Sequence, residues 1–185
     1  HLSKLEDINM LTSETKKTGK GGRPSRLYRL SDNVIQLNFP FRDYQLLSKI
    51  AIETMMKLGD QGKHALYDMG KSFGKELTEN QMNSNQINNL DITFEEKLNL
   101  LKKAASVAGF YPEFQTNENQ TKVFFQIFNC PFKELASVHP ETVCGMHISF
   151  LNGMFSALFT DVELIEQENM INGCSSCSYQ ALVTK

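Results

Sequence analysis

Leu11-Thr12-Ser13-Glu14-Thr15, then Lys16-Lys17-Thr18-Gly19-Lys20-Gly21-Gly22-Arg23-Pro24, then Ser25-Arg26-Leu27-Tyr28-Arg29-Leu30, is the stretch on which the fold of this chain turns. Two short strand-like runs flank a basic tip rich in glycine, the residue that turns a chain back on itself most cheaply, so the stretch predicts a β-hairpin. Just before it, Leu2, Leu5 and Ile8 have helical spacing and read as the end of a helix. The sequence is therefore expected to start inside a domain. Residues 1–30 carry seven basic side chains against three acidic, whereas the remainder carries 12 against 18. A basic head on an acidic body suits a DNA-binding regulator, and a solvated charged hairpin gives the same pattern. Lys4, Lys16, Lys17, Lys20, Arg23 and Arg26 are the candidate DNA contacts, aimed at phosphate or the minor groove.

Beyond the hairpin the 185 residues are 41% hydrophobic and 22% charged, the mix of an ordinary globular protein with a real core. No apolar run nears the roughly 20 residues that span a bilayer, and no signal-peptide pattern opens the chain. No membrane partner is expected, and the cytoplasm is the expected compartment. Tyr44, Leu47, Ile50, Ala51, Thr54 and Leu58 predict a helix over 43–58. Gly59-Asp60-Gln61-Gly62 is read as a break, followed by a second helix over 63–78. The Asn-rich run 79–91 predicts a linker and a subdomain boundary. Thr93-Phe94-Glu95-Glu96 is a capping box that starts a helix, and Gly109 suits the position just past its end. Strands are expected over 110–115 and 123–128, helices over 131–138 and 141–159, and a last hairpin from 162–171 and 177–183. The expected division is residues 1–32, a helical linker and dimerisation region at 33–90, and a sensor domain at 91–185.

All four cysteines fall in the last third: Cys130, Cys144, Cys174 and Cys177. In a chain with no sign of export, clustered thiols are more often metal ligands or catalytic groups than disulfides. Cys174 and Cys177 are expected to share a hairpin corner that could place two thiolates on one metal. Cys130 precedes a helix and Cys144 lies near the start of one, where the positive end of the helix dipole favours a thiolate. His139 and His147 stand as substitute ligands or as satisfied core histidines. The bland alternative leaves Cys130 and Cys144 as core residues. A thiol oxidoreductase using Cys174 and Cys177 is a further alternative, but the pair lacks a βαβ context and no cofactor-binding glycine motif appears, so no enzymatic activity is expected. A small-molecule pocket among the 13 Phe and 8 Met is another.

Two stretches resemble a known family. His1-Leu2-Ser3-Lys4-Leu5-Glu6-Asp7 with Gly21-Gly22-Arg23-Pro24-Ser25-Arg26-Leu27-Tyr28-Arg29-Leu30-Ser31 resembles the recognition-helix end and wing of ArsR/DeoR-like winged-helix regulators. Asn129-Cys130-Pro131-Phe132, His139-Pro140-Glu141, Cys144-Gly145-Met146-His147, Gly173 and Cys177-Ser178-Tyr179 resemble the sensor domain of iron–sulfur-responsive regulators of the SufR type. The resemblance implies an α+β protein: a partial winged helix-turn-helix, a helical dimerisation segment and a C-terminal α/β sensor subdomain with an antiparallel sheet. It implies a transcriptional repressor, a homodimer on double-stranded operator DNA, that couples the state of an iron–sulfur cluster (2Fe-2S or 4Fe-4S) to DNA binding. Cys130, Cys144 and Cys177 match the cluster ligands, Cys174 is a candidate fourth, and zinc on the same cysteines is the alternative cofactor.

Overall fold

A computed structural model describes residues 1–16, 24–31, 40–84 and 92–184. The chain divides into two compact units, His1–Tyr44 and Gln45–Lys185. In the first unit α1 (Leu2–Asp7) precedes a hairpin of β1 (Leu11–Lys16) and β2 (Ser25–Leu30), paired antiparallel from Leu11↔Leu30 to Lys16↔Ser25. The expected hairpin forms, but the expected partial winged helix-turn-helix does not. Among the described residues of this unit there is one six-residue helix with no buried side chain, too little to seat a recognition helix on a core. Arg26 ties the hairpin to α1. Its guanidinium donates to Glu6 Oε2 at 2.6 Å and to Ser13 Oγ at 2.8 Å, and lies over the Tyr28 ring. Lys4 and Lys16 are exposed, whereas Lys17, Lys20 and Arg23 lie outside the described residues.

The second unit is built on a four-stranded antiparallel sheet in the order β3-β4-β6-β5, from β3 (Pro112–Thr116), β4 (Lys122–Ile127), β5 (Val162–Glu168) and β6 (Cys177–Val183). Strict alternation buries Val123, Phe125 and Ile127 on β4, and Cys177, Tyr179, Ala181 and Val183 on β6. These meet α4 (Phe94–Val107) through Leu98, Leu101, Ala104 and Ala105, and α6 (Pro140–Ser156) through Leu151, Met154 and Phe155. Phe125 stacks on both Phe155 and Tyr179, at 5.3 and 5.1 Å between ring centroids. The capping box of α4 forms as its sequence requires: Thr93 Oγ1 accepts from the Glu96 amide, and the Glu96 carboxylate accepts from the Thr93 amide. Gly109 follows at φ +84, the left-handed turn that glycine adopts without strain.

The helices α2 (Tyr44–Lys57) and α3 (Asp60–Ser84) are separated only by a turn at Gly59, with φ +64. The break expected at 59–62 is instead the two residues Leu58 and Gly59, and α3 runs on through the polar 79–84 because Thr78 and Met82 remain buried on its inner face. The remaining linker expectation, 85–91, lies outside the described residues. Gly62 sits inside α3 because the Met55 backbone occupies the space of its Cβ. The same logic governs the crossing of α3 and α6. A Cβ on Gly74 would collide with the carbonyl of Phe150, one on Gly153 with the carbonyl of Lys71, and one on Gly70 with Met146. The two helices pack backbone to backbone. Forcing a methyl into such a contact displaces main chain, which costs about 1–3 kcal/mol or more. Gly74→Ala and Gly153→Ala are expected to lower the melting temperature sharply in thermal unfolding. Gly59→Ala, with open space around it, should cost only the strain of its positive φ, about 1 kcal/mol.

Candidate functional site

Three of the four cysteines come together at one end of the sheet. Cys177 opens β6, and its side chain points into the core beside Tyr179, two residues along on the same face. Its sulfur accepts the Met170 amide at 3.4 Å and a hydrogen bond from the Tyr179 hydroxyl. Cys130 lies past the end of β4, just before α5 (Lys133–Ala136), and its sulfur accepts the Phe132 amide. Cys144 is on the N-terminal half of α6, three residues before His147. The thiols are near enough to act on one another: charge on Cys177 or Cys144 raises the pKa of Cys130, and charge on Cys144 raises that of Cys177.

Burial dominates the titration of Cys130 and Cys177. Desolvation pushes the Cys130 thiol up to about 11, against the weaker lowering effect of the Phe132 amide, and it raises Cys177 as well. The helix-start placement thus does not yield the readily ionised Cys130 that the sequence suggests. Cys130 stands ahead of a four-residue helix and is largely shielded from water, so loss of hydration outweighs the small dipole. Tyr179 is likewise raised, first by burial and then by Cys177 and Glu166. All four cysteines are free thiols.

His147 completes the group. It is 3% exposed, stacks on Phe110 at 4.7 Å, and meets Phe132 and Tyr179 edge-on at 5.7 and 6.4 Å. Those last two residues are the ones whose polar groups bond Cys130 and Cys177. Its Nε2 atom is buried with no hydrogen-bond partner. An unpaired buried polar atom costs roughly 1–3 kcal/mol, so its persistence calls for a reason. Burial alone pushes its pKa down to about 4, keeping the ring neutral and Nε2 available as donor or acceptor according to the tautomer. His139 behaves differently, bonding Glu53 Oε1 through Nε2 at 2.9 Å and fastening α2 to the start of α6.

Cys174 does not join. The segment between β5 and β6 is a short 3-10 turn (Met170–Asn172) followed by Gly173 at φ +92, not the tight corner expected, and Cys174 is exposed on it while Cys177 is buried. The four-cysteine shell expected for an iron–sulfur cluster is not formed. Among the described residues no three His, Cys, Asp or Glu side chains stand close enough to hold one metal ion as placed. The spacing of the cysteines was visible in the sequence. The unsatisfied His147 was not, because its signal lies in what surrounds it.

The helix-on-sheet arrangement is an α+β fold also seen in solved structures of very different sequence. The phenol-responsive sensory domain of the transcription activator PoxR, solved with phenol, matches 98% of this chain and 88% of its own, at TM-score 0.56 and 17% identity. Trafficking protein particle complex subunit 3 from Naegleria fowleri, covalently bound to palmitic acid, matches 76% of this chain and 97% of its own, at TM-score 0.53 and 13% identity. No curated protein matches. The model of the family described as methanogen output domain 1 matches residues 46–181, and the chain belongs to that family. These findings overturn the resemblance to SufR-type winged-helix regulators, which rested on short motifs, and the expectation of operator binding loses its basis with it. Among the described residues no helix is long and apolar enough to cross a membrane.

Two outcomes follow from the titration of the centre. Because His147 is held neutral at a pKa of about 4 against an ordinary 6.5, stability is full above pH 6.5 and is lost as the pH falls toward 4. His147→Phe should flatten the fall in melting temperature across that window. At neutral pH, iodoacetamide followed by mass spectrometry should label Cys174 first, with Cys130 and Cys177 far slower, since the buried thiols stay protonated.

Proposed function

We propose that this chain is the sensory part of a regulatory protein and that it registers its signal at Cys130, Cys144, Cys177 and His147. The observation that carries the reading is the buried, unpartnered Nε2 of His147, whose ring meets Phe132 and Tyr179, the residues that bond the sulfurs of Cys130 and Cys177. Amide and hydroxyl donors already aimed at the sulfurs of Cys130 and Cys177 favour thiolates once a cation offsets the cost of burying them. Three soft donors and an imidazole select a thiophilic metal ion, of which zinc is the simplest. Closing on such an ion would draw together groups that converge without touching, and that closure is the conformational change a sensor needs. The likeness to a phenol-responsive sensory domain supports a sensory role without indicating phenol as the signal.

Because the thiols must give up protons, binding should tighten as the pH rises. The test is titration of metal-free protein with Co(II) under anaerobic conditions, read by thiolate charge-transfer absorption, with zinc competition. One ion per chain is expected. Cys174→Ser should bind like the wild type, and Cys130→Ser, Cys144→Ser and Cys177→Ser should each lose about tenfold or more in affinity. Absence of the absorption band, or a band lost only in Cys174→Ser, would overturn the reading. Iron with matching sulfide after anaerobic reconstitution would replace the single ion with a cluster at the same residues.

A further inference from the structure

The helix α2 has fourteen residues, and none of them is buried. Half-buried Ile52, Met55 and Met56 mark its inner side. Two side-chain bonds seat it on the α5–α6 corner: Glu53 Oε1 meets His139 Nε2 at 2.9 Å, and the Thr142 hydroxyl donates to Met56 Sδ at 3.1 Å. Beside them a cavity of about 140 Å³ separates Lys49 and Ile52 from Leu135 and Val138. A helix of this length is marginal by itself and is normally stabilised by a buried apolar stripe, which α2 lacks. Such an element opens locally far more readily than the core. It also starts at Tyr44, the last residue of the first compact unit. A change in how firmly α2 is seated is thus made at the covalent junction of the two units.

The seat of α2 belongs to one short stretch of chain. Leu135, Val138, His139 and Thr142 all lie among the thirteen residues between Cys130 and Cys144. That stretch runs through α5 into the first turn of α6. It is joined internally where the His139 amide bonds the Leu135 carbonyl and the Val143 amide bonds the His139 carbonyl, each at 3.0 Å. His139 stands just ahead of α6 and gives its ring to Glu53 rather than to the helix end. An ion bound by both Cys130 and Cys144 would close the stretch at its two ends. Tying the ends of a segment together restricts the conformations it can visit. We infer that α2 is the arm through which the thiol centre acts: metal held by Cys130 and Cys144 stiffens residues 131–143, and α2 docks more firmly on them. This rests on the function proposed above, since it needs an ion at those cysteines. By linkage, docking of α2 strengthens metal binding by the same factor.

The test is hydrogen exchange of the full 185-residue chain, read by mass spectrometry with and without one equivalent of zinc, with Co(II) absorption recorded in parallel. Zinc is expected to slow exchange of the α2 amides about tenfold in the wild type. A variant carrying Glu53→Ala and Met56→Ala lacks both seating bonds and none of the thiols. Its α2 amides should exchange fast with or without zinc. Its Co(II) band should persist, showing the centre intact, with affinity lowered by no more than about tenfold. A wild type that gives the band while its α2 exchange stays unchanged would overturn the inference and leave the proposed metal centre standing. Equal slowing in the variant and the wild type would also overturn it, since zinc would then act without the seating bonds. A wild type with no band would overturn both readings together.

Discussion

The backbone contact between α3 and α6 is the constraint on which the second unit depends. Gly70, Gly74 and Gly153 remove the side chains that would separate the two helices, so main-chain atoms of each lie where a Cβ of the other would be. At such a distance the helices have little freedom to slide or rotate. The opposite face of α6 is thereby fixed over the sheet, with Leu151, Met154 and Phe155 in the shared core. Cys144 and His147, one turn apart near the start of the same helix, are delivered to the edge of that core by the same geometry. The glycines hold no ligand. They decide where the ligating side chains stand.

Around that fixed helix the chemistry is set by dehydration. Four groups of the centre are shifted toward their neutral forms: Cys130, Cys177 and Tyr179 upward, His147 downward. A pocket in which thiols stay protonated and an imidazole stays uncharged is held together by apolar packing on Phe110 and Phe132, at the expense of one unsatisfied nitrogen. On the reading proposed above, a cation would reverse this balance, since it would favour thiolates and engage the free nitrogen together. The bonds from the Phe132 and Met170 amides would serve that second state.

The parts of the fold that were legible in the sequence are those governed by local rules. The Thr93–Glu96 box, the glycine turn at 109, the alternation along Val123, Phe125 and Ile127, and the hairpin of β1 and β2 follow from neighbours in the chain. What could not be read depends on distant contacts. The polar end of α3 looks like a linker until Thr78 and Met82 are seen to be buried, and Gly62 looks like a breaker until Met55 is found against it. The Arg26–Glu6 ion pair joins residues twenty apart and could not be read from spacing. The family misreading had the same origin: the Gly-Arg-Pro hairpin motif is short, whereas the family match spans 46–181 and owes nothing to the hairpin. Among the cysteines, convergence was anticipated for all four, and burial separates the three that meet from exposed Cys174.

The most direct measurement is site-resolved protection of the thiols from alkylation, followed by mass spectrometry with and without one equivalent of zinc. It should be made at mildly alkaline pH, so that even the buried thiols react in the metal-free protein. Zinc is predicted to shield Cys130, Cys144 and Cys177 together and to leave Cys174 as reactive as before. Protection of Cys174, or equal reactivity of all four thiols with and without zinc, would contradict a signal centre built on Cys130, Cys144, Cys177 and His147.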